Sequence, residues 1–185
     1  MKKRNYLLYI SLIVILISIA FSLSYAYLSA NVTGNDTAKT TNVTSGTLNI
    51  DFATSSYISN NNMLLISDKD VATKADQTSF TVANTTGNIN GKYTLSLTEL
   101  SISANLKSSD FKWDLLKNGT SISSGNFTTA VTGNDFDLTS GVQTISTNTT
   151  DSYVLRIWLS ETTSDQQSLE NGTFSAKIKM TATQG

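Results

Sequence analysis

From residue 47 onward, apolar and polar residues alternate in short runs broken by Gly, Asn and Asp, the signature of half-buried strands. Leu48, Ile50 and Phe52 alternate with Asn49 and Asp51, and Phe80 and Val82 flank Thr81. Tyr93, Leu95 and Leu97 alternate with Thr94, Ser96 and Thr98, and Phe174, Ala176, Ile178 and Met180 with Ser175, Lys177 and Lys179. Val154 to Leu159 is more continuously apolar, as a strand buried on both faces is. Phe111–Leu116 and Thr120–Ile122 bracket Asn118-Gly119, the dipeptide that best tolerates the two positive φ angles of a type I′ hairpin. The pattern predicts about nine to eleven strands and no soluble helix, with one ambiguous stretch, residues 61–76, readable as strand then loop or as a short helix. The fold class expected is all-β, an antiparallel β-sandwich of jelly-roll or Ig-like type, preceded by one N-terminal hydrophobic helix.

That helix is written into residues 1–30. Lys2, Lys3 and Arg4 precede an almost unbroken apolar run from Tyr6 to Leu23, which is either a secretory signal or a single membrane anchor. In both cases the basic end stays in the cytoplasm and the rest is delivered outside. Ser24-Tyr25-Ala26 places small residues where a signal peptidase reads them, so Ser24, Ala26 and Tyr27 mark a cut before Tyr27. Extending the run to Leu28 gives enough helix to cross a bilayer uncut. Residues 31–46, poor in apolar side chains, read as a flexible linker or donor-strand segment, and residues 47–185 as the sandwich domain.

Composition removes functions more than it adds them. The chain has no Cys, no Pro and no His. A disulfide framework, lipoprotein acylation, the usual zinc ligands and the commonest general base are all missing. No catalytic residues, cofactor-binding residues or metal ligands are assigned, and the chain is not expected to be an enzyme. Without Lys2, Lys3 and Arg4, 10 basic residues face 14 acidic ones, a net of −4. That balance argues against nucleic acid as a partner.

Several candidates have a plain alternative. Asp68 with Asp70, and Asp135 with Asp137, are spaced like paired oxygen ligands, yet lack the glycine and closing glutamate of an EF-hand; solvated turns are the simpler reading. Arg156, between Leu155 and Ile157, needs a solvent face or a carboxylate such as Glu161. Trp113 and Trp158 read as core. Eight Asn-x-Thr triplets, from Asn31 to Asn171, read as chance in an Asn- and Thr-rich chain.

The stretches Ala26-Tyr27-Leu28-Ser29-Ala30, Thr78–Thr85, Gly91-Lys92-Tyr93-Thr94-Leu95 and Ser152–Leu159 together resemble the TasA/camelysin group of exported proteins from Gram-positive bacteria. The resemblance implies a signal segment removed by a dedicated peptidase, a jelly-roll domain and a structural role in extracellular matrix (biofilm) fibres. In such fibres an N-terminal strand completes the next subunit's sheet. Some relatives have carried a metalloprotease label; a chain without histidine does not inherit it.

The residues themselves are compatible with strand donation. Leu28, Ala30 and Val32 fall on one face of an extended segment, which could add to an open sheet edge. The expectation is an extracellular or cell-surface fibre subunit whose partner is itself or another matrix protein, touching the membrane through the N-terminal helix before or without cleavage. The alternative is a membrane-anchored, monomeric surface adhesin or ligand-binding module.

Overall fold

A computed structural model describes residues 29–33, 51–54, 58–60, 65–85, 89–169 and 171–184. The predicted N-terminal helix and the cut site at Ser24, Ala26 and Tyr27 lie outside them, as does Leu28. Among the described residues no helix is long and apolar enough to cross a membrane. They form twelve strands in two sheets, with only the four-residue helix α1 (Val71–Lys74) and two short 3-10 turns besides. The chain is all-β.

One sheet has the order β1 (Ser29–Thr33), β12 (Phe174–Gln184), β6 (Gly91–Ile102), β10 (Gln143–Ile145). Two short strands extend it: β3 (Ile58–Asn60) pairs with β12, and β9 (Phe136–Asp137) with β6. The other runs β2 (Asp51–Thr54), β5 (Asp76–Asn84), β11 (Thr149–Ser160), β7 (Phe111–Lys117), β8 (Thr120–Asn126). There β4 (Leu65–Ile66) joins the end of β11 in parallel, while every other pairing is antiparallel.

The sheets face each other over one core, because the period-2 apolar rows of both point inward. Phe80 and Val82 of β5, Phe111, Trp113 and Leu115 of β7, and Tyr153, Leu155, Ile157 and Leu159 of β11 meet the rows of β6 and β12. At one end Phe111, Phe127 and Phe174 pack with ring centroids 4.7 to 5.3 Å apart. At the other, Tyr153 stacks on Phe80 at 5.0 Å and meets Tyr93 edge-on at 6.4 Å.

Two local devices keep these rows in phase. Asn118 and Gly119 both have positive φ (50° and 83°) and join β7 to β8 in the tight turn their sequence predicts. On β6, Glu99 sits at φ 49°, where the ladder to β12 shifts register between Ser175 and Lys177. The extra residue switches the inward row from Tyr93, Leu95 and Leu97 to Leu100 and Ile102, so one strand buries both odd and even positions.

The ambiguous stretch resolves, over its described residues, into β4, a turn and α1. Val71 and Ala75 lie with Ile66 over Trp158 in a small apolar cluster separate from the main core. Trp158 therefore belongs to the outer face of its sheet and is buried there by this strap. Trp113, by contrast, is in the main core, with the backbone of Gly125 so near its indole that a Cβ there would stand 3.2 Å away.

Candidate functional site

Three features carry polar chemistry or an open edge. The first is a buried network at the tyrosine end of the core. The hydroxyls of Tyr93 and Tyr153 are 2.5 Å apart, and Tyr93 also donates to Asp151 Oδ2 at 3.1 Å. A carboxylate only accepts and a phenol has one proton, so Tyr153 is the donor to Tyr93. Asp151 is ion-paired with Lys117 at 2.9 Å, both side chains mostly buried. The Lys117 ammonium stands 5.9 and 6.0 Å from the two tyrosine rings, within cation–π range. Asn118 completes the network by donating Nδ2 to Asp151 Oδ1 at 3.0 Å. Burial pushes the Tyr153 hydroxyl up to about 12 and raises Tyr93 further still, with the Tyr153 hydrogen bond adding to the rise. The network joins β6 of one sheet to β7 and β11 of the other and holds its phenols protonated.

The second feature clamps the strap. Asp68 Oδ1 accepts from Trp158 Nε1 at 2.9 Å and from Ser160 Oγ at 2.8 Å, while Oδ2 pairs with Lys112 Nζ at 2.8 Å. Lys112 and then Trp158 hold the carboxyl down to about 2. Lys112 Nζ also reaches Ser160 Oγ at 3.1 Å. A serine beside a lysine has the look of a nucleophile and its base. Here the lysine is a carboxylate's ion-pair partner and the Ser160 hydroxyl is buried, 2% exposed, and the group fastens β4 and α1 to β11.

The third feature is β1. Ser29–Thr33 pairs with Thr183–Lys179 of β12, placing Ala30 opposite Ala182 and Val32 opposite Met180. β12 is thereby bordered by β1 along its last half and by β3 near its start, and among the described residues β1 is the edge of that sheet. Two of the three residues expected to act as strand donors, Ala30 and Val32, thus stand in a β-ladder within their own chain.

The remaining candidates separate. Asp70 pairs with Lys74 and Asp68 with Lys112, so that acid pair does not converge. Asp135 pairs with Lys179 at 2.6 Å, and its carboxyl is lowered chiefly by that lysine. Among the described residues no group of three or more metal-ligating side chains gathers. Arg156 does lie on the outer face of its sheet, but its neighbour is Asp114 at 4.0 Å; Glu161 is an exposed residue whose amide bonds Ile66. Reading the sequence missed the Tyr93–Tyr153–Asp151–Lys117 network. Its one local signal was a lysine immediately before the Asn-Gly turn.

No family model and no curated protein matches the chain. Among solved structures, dimeric latent PorU from Porphyromonas gingivalis is similar over 86% of this chain, at 13% identity and a TM-score of 0.35. The match spans only 13% of that protein's length, and a likeness of that size carries no argument about activity or partners.

Proposed function

We propose that this protein is an exported structural subunit, a β-sandwich of jelly-roll or Ig-like type that builds extracellular matrix fibres by strand addition. The observation that carries the reading is the place of β1 at a sheet edge, paired over five residues with β12. The resemblance to the TasA/camelysin group and the basic, apolar N-terminus support it. If β1 leaves its own β12 and docks on that of a neighbour, the same ladder is remade between subunits. Such an exchange is nearly neutral in contacts, so concentration decides it. Tethered to β2 by residues 34–50, β1 competes for its own β12 at an effective concentration on the order of millimolar. Exchange is therefore favoured where subunits are crowded, as at a cell surface, and where removal of the helix before Tyr27 frees the strand.

The pairing within one chain also favours a second reading, a monomeric adhesin or ligand-binding module that keeps its helix as an anchor. A chain without cysteine allows a clean test. Residues 31 and 181 are opposite each other in the ladder. Cells expressing Asn31→Cys mixed with cells expressing Thr181→Cys, then oxidised, should yield disulfide-linked dimers, and the double variant a ladder of multimers. A double variant that closes only within single chains sinks fibre assembly and leaves the anchored module. The intact mass of the shed protein, starting at Tyr27 or at Met1, reports on cleavage independently.

A further inference from the structure

We propose that Asn118 is a self-modification site whose reaction is held back by the fold and, once complete, unlatches the β7–β8 hairpin from β11. Glycine has no Cβ to shield its backbone nitrogen, so an Asn-Gly pair carries its own nucleophile. The Gly119 nitrogen bonds to Asn118 Cγ, the Cγ–Nδ2 bond breaks, and ammonia leaves with the glycine's proton. Water then opens the cyclic imide at one of its two carbonyls, giving aspartate or isoaspartate. The net change is amide plus water to carboxylate plus ammonium, with no other reactant.

In this fold the asparagine is not free to react. Its backbone N–H donates to Ser152 O at 2.7 Å, its Oδ1 accepts from Ser152 N at 2.8 Å, and its Nδ2 donates to Asp151 Oδ1 at 3.0 Å. Beyond the last ladder pair, Lys117 with Tyr153, the side chain thus acts as one more rung between the hairpin turn and β11. Cyclisation requires the carboxamide to leave both partners and swing onto the Gly119 nitrogen, so the turn must first open.

The product can remake only half of the side-chain latch, its acceptor for Ser152 N–H. A carboxylate has no N–H to offer Asp151, and it places a second negative charge where a 3.0 Å hydrogen bond stood. Lys117, 2.9 Å from Asp151, is then shared between two carboxylates. Asp151 is also the acceptor for Tyr93, so the disturbance passes from an exposed turn to the buried tyrosine pair. The turn becomes a one-way record of hairpin opening.

The test compares the purified full chain, folded and in denaturant, at mildly alkaline pH, following the gain of about 1 Da at Asn118 by peptide mass spectrometry. The denatured chain should react about tenfold faster or more, the ratio expected when reaction proceeds through local opening. Asp151→Ala, which removes the Nδ2 acceptor, should raise the folded rate several-fold. As a check independent of that variant's stability, Asn118→Asp should speed amide exchange at Ser152 by about tenfold while distant core amides keep their protection. Equal rates in folded and denatured chains overturn the proposal, as does an Asn118→Asp chain with unchanged exchange at Ser152.

Discussion

The hydroxyl of Tyr93 on β6 meets that of Tyr153 on β11 at 2.5 Å, in a core built mainly of apolar contacts between two sheets. The proton order, Tyr153 to Tyr93 to Asp151, makes the two phenols unequal. Tyr93→Phe strips a donor from Asp151 and an acceptor from Tyr153 together, and should cost about 2–3 kcal/mol, since buried polar groups are left unpaired. Tyr153→Phe leaves the bond from Tyr93 to Asp151 in place and should cost about 1 kcal/mol. Urea denaturation of the two variants checks the order, and equal losses would refute the proton assignment.

The same pair predicts an alkaline limit to stability. Tyr153 is raised to about 12 in the folded protein, against about 10 for a free phenol. Above pH 10 the unfolded chain sheds protons that the folded chain keeps, so stability is full below pH 10 and declines as pH rises towards 12. A Tyr153→Phe chain should lose less stability across that window, which thermal melts at stepped pH would reveal.

At the acid end Asp68 is a sensitive group, along with Asp135, whose carboxyl is also lowered. The folded Asp68 carboxyl is lowered to about 2, so its contribution is present above pH 4 and is lost as pH falls through 2. The carboxylate is half-exposed, and solvent screening reduces the gain to about 1 kcal/mol. Asp68→Asn should cost that amount at neutral pH and flatten the decline between pH 4 and 2. Because Asp68 fastens the strap over Trp158, tryptophan fluorescence should shift to the red in the variant at neutral pH.

Gly172 is required for space. A Cβ there would overlap the side chain of Leu106, which is 1% exposed. Gly172→Ala should therefore destabilise by about 1–3 kcal/mol through overpacking. Leu106→Ala alone should cost about 2–5 kcal/mol by leaving a cavity. Combined, the two should cost less than their sum, because the new methyl enters the vacated space. Strict additivity in chemical denaturation would contradict the contact.

Much of the fold was legible along the chain. Side-chain alternation is a local property, so the inward rows of β5, β6 and β12 could be read directly, and Asn118-Gly119 marked its own hairpin through the positive φ it tolerates. The hidden parts have a common cause. The Glu99 bulge breaks the period, so Leu100 and Ile102 turn inward against the phase of Tyr93 to Leu97.

Absence of Cys and His, the basic apolar start and the all-β class were determined by the sequence itself, because composition and period-2 pattern need no partner. Which strands adjoin was decided only in three dimensions. Asp68 and Trp158 are 90 residues apart in the chain, yet share a hydrogen bond. Nothing near either residue marks the other, since both depend on where β4 and β11 come to lie. Ser29–Thr33 at the start likewise meets β12 at the end. Strand pairing is a contact between distant backbones that are chemically alike, and only the packed sheets choose among them.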